Sequence, residues 1–165
     1  MMGFFSFPFA RRAPVLSDAS ARDAAAIVAL HATAFRRGWS EEEVEAMLID
    51  RNVTAHRATQ GGKFGRALAG FIMSRRAADE AEVLSVAVAR RHQGRGLARQ
   101  LLSLHLRYLA GLGARAVFLE VDEHNAPAIK LYERAGFREI SRRPNYYPLP
   151  DGKSAAALVL RRDMA

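Results

Sequence analysis

The chain has 165 residues and is 50% apolar, which suits one domain with a real core, and no apolar run reaches the length of a membrane-spanning helix. It has no cysteine, which excludes disulfides, thiolate metal sites and a thiol nucleophile and fits a cytoplasmic protein; its five histidines, at 31, 56, 92, 105 and 124, show no metal-ligand spacing, so no metal is expected. The formal charge of +8 favours acidic partners, but the excess is arginine spread along the chain with no basic–aromatic groove pattern, so nucleic acid is not an expected partner.

The opening stretch, Met1 to Phe9, carries Phe4, Phe5, Phe7 and Phe9 and is followed by Arg11-Arg12. A secretory signal puts its charges before a longer apolar run, so residues 1–14 read as a flexible arm or interface patch, and residues 15–165 as a single domain. Ser17 or Asp18 starts a helix that runs to about Phe35. Ser40-Glu41-Glu42-Glu43 reads as a capping box for a second helix ending near Ile49. Val53–Thr59 and Arg66–Arg75 read as strands joined by the Gln60-Gly61-Gly62-Lys63 turn, and a third strand follows the Ala78-Asp79-Glu80 turn.

From Val83 the signals sharpen. Val83–Val88 is apolar and rich in β-branched residues, as a buried strand requires. After Ala89–Gln93 comes Gly94-Arg95-Gly96-Leu97-Ala98-Arg99, then Leu97, Leu101, Leu104 and Tyr108 at helical spacing, with Leu102 and Leu109 widening the stripe. Small residues at 94, 96 and 98 let a bulky anion approach the backbone. The first amides of the helix lack intrahelical partners, and with the dipole they make a phosphate site that Arg95 and Arg99 reinforce. Taken alone, the glycines also suit a plain strand-to-helix turn with solvated arginines. A dinucleotide-binding G-x-G-x-x-G fold is disfavoured, because that motif follows an early first strand.

The next strand, Ala114–Val121, is apolar on both faces after Arg115 at its start, except for Glu120 near its end. A carboxylate there is either turned to solvent or useful. Asn125 caps a helix with Pro127 in its first turn, Gly136 closes it, and Phe137 opens another strand. Tyr132 on that helix is either a core aromatic or a hydroxyl facing the same crevice as Glu120, where neighbouring parallel strands diverge. Ala155–Leu160 is a further apolar element. The order is β or coil, α, α, β, β, β, α, β, α, β, β: a mixed α/β sheet flanked by helices.

Residues from about Asp18 to Met164 resemble the GNAT superfamily of N-acetyltransferases. Its signature, Q/R-x-x-G-x-G/A, fits Arg91-x-x-Gly94-x-Gly96 and Gln93-x-x-Gly96-x-Ala98, the second keeping the better spacing to the flanking elements. Within the superfamily the chain is most similar to the bacterial ribosomal-protein alanine N-acetyltransferases. F-L-E-V at 118–121, N-A-P-A-I-K-L-Y at 125–132, G-F at 136–137 and R-R-P-N-Y-Y-P-L-P-D-G at 142–152 carry the likeness, with Ala34-Phe35 and Trp39-Ser40 upstream. One departure is Ser154-Ala155, where that branch has an acidic pair after D-G.

The resemblance implies a central, mostly antiparallel sheet with one parallel splayed pair. It implies acetyl-CoA as co-substrate, on Val86, Ala87, Val88, Gln93, Gly94, Arg95, Gly96, Leu97, Ala98, Arg99 and Asn125. It makes Glu120 the general base and Tyr132 the general acid. It sets Trp39 beside a Tyr146-Tyr147 loop as walls of an acceptor groove, an arrangement that core packing of the lone tryptophan also explains. The implied acceptor is the α-amine of a protein or peptide N-terminus, that of a ribosomal protein above all. At pH 7 deprotonating an α-amine costs about 1.4 kcal/mol and a lysine side chain about 4.6 kcal/mol, so a single glutamate suits the former. A small-molecule amine as acceptor and a non-catalytic acyl-CoA-binding module are the other readings. The first usually lacks the N-Y-Y-P…D-G segment, and the second would be expected to lose the glutamate or the tyrosine.

Overall fold

The computed structural model describes residues 12–62 and 65–165. Strands β1 (Val15–Asp18), β2 (Val53–Gly62), β3 (Gly65–Ala77), β4 (Glu80–Val88), β5 (Ala116–Asp122), β6 (Arg138–Pro148) and β7 (Ser154–Asp163) form one sheet in the order β1-β2-β3-β4-β5-β7-β6. Every neighbouring pair is antiparallel except β4 and β5. Helices α1 (Ala24–Ala34) and α2 (Glu41–Ile49) cover one face; α3 (Leu97–Gly111) and α4 (Ala126–Arg134) cover the other. None of the described helices is long and apolar enough to cross a membrane.

Local chemistry explains most boundaries. Ser40 Oγ accepts from the Glu43 amide at 3.1 Å while the Glu43 carboxylate accepts from the Ser40 amide at 2.7 Å, the capping box that starts α2. Asn125 Oδ1 accepts from the Ala128 amide at 3.3 Å and starts α4, which ends before Gly136 at φ 89°. The hydrophobic faces of α3 and α4 meet β4, β5 and β7 in one core that includes Leu101, Leu109, Val117, Leu119, Tyr132 and Phe137. A second core, with Ile27, Val44, Phe71 and Met73, lies under α1 and α2.

Four expectations need correction. The first helix does not begin at Ser17 or Asp18: these residues pair with Arg57 and His56 of β2, and α1 starts only at Ala24, after a 3₁₀ turn at Ala21–Asp23. Gln60 and Gly61 belong to β2 rather than to a turn, while Lys63 and the phenylalanine-rich stretch lie outside the described residues. Tyr146 and Tyr147 stand in β6, not in a loop, with Tyr147 opposite Ala155. The buried stripe of α3 is Leu97, Leu101, Leu102, His105, Leu106 and Leu109; Tyr108 is exposed.

Candidate active site

The parallel pair is joined only from Glu80↔Ala116 to Val83↔Leu119, yet β4 runs on to Val88 and β5 to Asp122. A bulge separates them. Ser74 pairs with Val83 and Met73 with Ser85, so Leu84 is the extra residue. Such an insertion bends and twists its strand. Leu84 and Ala87 accordingly pack toward α1 and α2, while Val83, Val86 and Val88 pack toward α3. Beyond Val83 the β5-facing edge of β4, with Val86, Ala87 and Val88, is not paired with β5, and this parting of the two strands is the candidate crevice.

The turn after β4 lies at its mouth. Gln93 Nε2 donates to the Val88 carbonyl at 3.0 Å and folds the loop back on the strand. Gly94 and Gly96 have φ 72° and 78°, a left-handed backbone that side chains other than glycine adopt at a cost, and no atom lies within 4 Å of the place a Cβ would take. Gly96 is the N-cap of α3 with no side-chain cap, and the first intrahelical bond is Gln100 N–H to Gly96 O at 3.1 Å. The amides of Leu97, Ala98 and Arg99 therefore precede the helical ladder, with Arg95 and Arg99 close by in the chain. A cleft of about 240 Å³ adjoins the turn, with Arg95, Leu97 and Gln100 in its wall. An open backbone cradle at the positive end of a 15-residue helix fits the diphosphate of a coenzyme.

Glu120 is the first residue of β5 past the last β4–β5 pair. Its side chain is 21% exposed, and Oε1 lies 3.1 Å from Nη1 of Arg143 on β6. Tyr132 is buried on α4, edge-on to Phe137 at 5.9 Å. Burial, with nearby Tyr147 adding to it, pushes its phenol up to about 12. Tyr147 is raised too, first by burial and then by the Glu120 carboxylate. Tyr147 thus stands electrostatically between Glu120 and Tyr132. Asn125 caps α4, and its contribution there is to helix geometry.

The aromatic candidates divide. Tyr146 is exposed and edge-on to Tyr147 at 5.1 Å. Trp39 stacks on His31 at 3.9 Å and lines a separate cleft with Glu43, Met47, Asp50 and Arg75. The loop before Trp39 and the end of β6 are tied by Arg36 Nη1 donating to the Pro148 carbonyl at 2.7 Å. Among the described residues no cluster of three or more histidines or carboxylates is arranged to hold a metal.

The sequence profile of the acetyltransferase (GNAT) family matches residues 24–137. The chain belongs to that family. It is 36% identical, over 121 residues, to the [ribosomal protein bS18]-alanine N-acetyltransferase of Escherichia coli K12, a match covering 73% of this chain and 78% of the relative. The crystal structure of the ribosomal-protein-S18-alanine N-acetyltransferase from Escherichia coli superposes with a TM-score of 0.82 at 32% identity, over 92% of this chain and 96% of that one. The fold is shared with Arabidopsis thaliana NAA60, solved in complex with acetyl-CoA, at a TM-score of 0.80 and 19% identity over 92% and 98% of the two chains. The family membership makes this chain an acetyl-transferring enzyme.

Two features of this GNAT chain leave little mark in its sequence. Arg143 was visible inside the 142–152 string, but nothing in the string says that it reaches Glu120. His105 sits four residues after Leu101 on the buried stripe, a position that could have marked it as a core histidine.

Proposed function

We propose that this enzyme moves acetyl from acetyl-CoA to the α-amine of a protein or peptide N-terminus, with alanine first and a ribosomal protein as the natural acceptor. Acetyl-CoA supplies an activated thioester. The chain's own residues do the rest: Leu97–Arg99 amides and Arg95 hold phosphate, and the free edge of Val86–Val88 offers a donor to the developing oxyanion. Glu120 takes the proton from the attacking amine, directly or through water, and Tyr132 protonates the departing thiolate.

The observation that supports this reading is Glu120, a carboxylate at the parting of β4 and β5, with the buried phenol of Tyr132 on the helix that follows its strand. A small-amine acceptor is the second reading. It draws on Ser154-Ala155: Ala155 is fully buried opposite Tyr147, so the branch's acidic pair has no counterpart there.

Glu120→Gln tests the assignment. The variant should fold and bind coenzyme, lose most of its kcat/KM near neutral pH, and recover part of the loss between about pH 7 and pH 9 as the acceptor's α-amine deprotonates in solution. Mass spectrometry of an Ala-starting, lysine-containing peptide should place the acetyl group on the N-terminus. Acetyl on lysine would replace the acceptor class, and a pH-independent deficit would make Glu120 a positioning group.

A further inference from the structure

The R-R pair at 142–143 splits. Arg142 binds the Glu139 carboxylate at 3.1 Å and Glu123 at 3.3 Å, and Glu123 in turn accepts from the Ala156 amide at 2.7 Å. That network fastens edge strand β6 to the ends of β5 and β7. The next side chain, Arg143, goes the other way and sits on Glu120. Its guanidinium also lies over the ring of the exposed Tyr146, 5.8 Å from its centre. Between Arg143 and Tyr147 the β6–β7 register shifts, and Asn145 takes a left-handed φ of 55° with its side chain bonded by Ser154 Oγ at 2.7 Å. Arg143 thus pairs with Glu120, and Tyr147 lies near enough to feel the same carboxylate's charge.

We infer that Arg143 is a resident cation that keeps the place of the acceptor's ammonium on Glu120 and so raises the KM of every amine acceptor. This rests on the reading of Glu120 as base. An α-amine reaches the site mostly as an ammonium at neutral pH, since its pKa is about 7.7–8.0. It seeks the carboxylate that Arg143 already holds, and two cations on one carboxylate repel. Arg143 is attached to the chain, so its effective concentration at Glu120 exceeds that of any free amine. That competition multiplies the apparent dissociation constant of every amine by the same factor, whatever else the acceptor contacts. Arg143 is therefore a positioning residue that touches the base and not the reacting atoms.

The test is a comparison of Arg143→Ala, Arg143→Lys and wild type with two acceptors, an Ala-starting hexapeptide and alaninamide. The pair is partly exposed, so its removal should lower KM for alaninamide and for the peptide alike by about 3- to 5-fold, with little change in kcat. Arg143→Lys should keep the higher KM. An unchanged or raised KM for alaninamide in Arg143→Ala overturns the inference. The same substitution in a Glu120→Gln background should have no further effect on KM; an equal effect there means that Arg143 acts elsewhere and also overturns it. The base assignment fails separately: wild-type turnover by Glu120→Gln alone would remove it, whatever Arg143→Ala does.

Discussion

Tyr132 is a phenol among Leu131, Ala135 and Phe137, and burial there favours its neutral form. A group meant to give up a proton only to a thiolate gains from that setting, because it stays protonated through the whole physiological range. The alternative role is packing, and the two separate cleanly. Tyr132→Phe keeps the ring and its edge contact with Phe137, so stability and coenzyme affinity should be nearly unchanged. Loss of the acid should lower single-turnover acetyl transfer by about 10²–10⁴. A rate within a few-fold of wild type would leave Tyr132 as a core aromatic.

At the scale of elements, the crevice depends on how closely α3 can sit on the sheet. Gly70 of β3 is the contact point. A Cβ there would stand 3.0 Å from the Ala87 carbonyl oxygen, 3.0 Å from Leu101 Cδ1 and 3.3 Å from Val88 Cγ2. The carbonyl belongs to the backbone of β4 and cannot rotate away. Gly70→Ala should destabilise the fold by about 1–3 kcal/mol and weaken coenzyme binding with it, because the strand that must move carries Val86–Val88. Urea unfolding and calorimetry check the pair of effects; unchanged values of both would show that α3 yields freely. The sequence told much about these elements and little about this contact. Ser40 with Glu43, and Asn125 with Gly136, announce helix ends because capping is local chemistry. Ser17 and Asp18 misled because the same residue types that cap helices also fit an edge strand, and pairing with β2 decides between them. Tyr146 and Tyr147 read as a loop because Pro144 and Pro148 flank them, although an edge strand tolerates proline. Glu120 and Tyr132 were legible as candidates, but the parting of β4 and β5 beside Glu120 follows from the Leu84 bulge, which leaves no mark in periodicity.

Across the molecule, a polar chain, buried except for Asp18, links four elements. Ser74 Oγ of β3 lies 2.7 Å from His105 Nε2 of α3, His105 Nδ1 lies 2.7 Å from His56 Nδ1 of β2, and His56 Nε2 lies 3.4 Å from Asp18 of β1. Tyr108 of α3 faces His56 edge-on at 5.1 Å. An ionised carboxylate only accepts, so His56 donates from Nε2 and accepts at Nδ1; His105 then donates from Nδ1 and accepts the Ser74 hydroxyl at Nε2. A proton added to His56 makes both its nitrogens donors, forces His105 to reverse its tautomer and leaves the Ser74 hydroxyl in need of another acceptor. Burial lowers both histidines, His105 to about 3 with His56 adding to the effect, while Asp18 partly offsets the shift of His56. Below the unfolded value of about 6.5 the unfolded chain holds more protons than the native one, so stability falls as pH falls, through the window down to about 3. For His105 alone the loss between about pH 7 and pH 5 is about 2 kcal/mol. His105→Leu removes that titration. The variant starts less stable at neutral pH, with Ser74 and His56 left short of a partner, but its unfolding free energy should decline less on acidification, by about 2 kcal/mol over the same interval. Urea titrations of both proteins at the two pH values measure the difference of slopes. Equal declines would mean that His105 titrates as freely in the native state as in the unfolded one, and that the relay imposes no acid sensitivity on the fold.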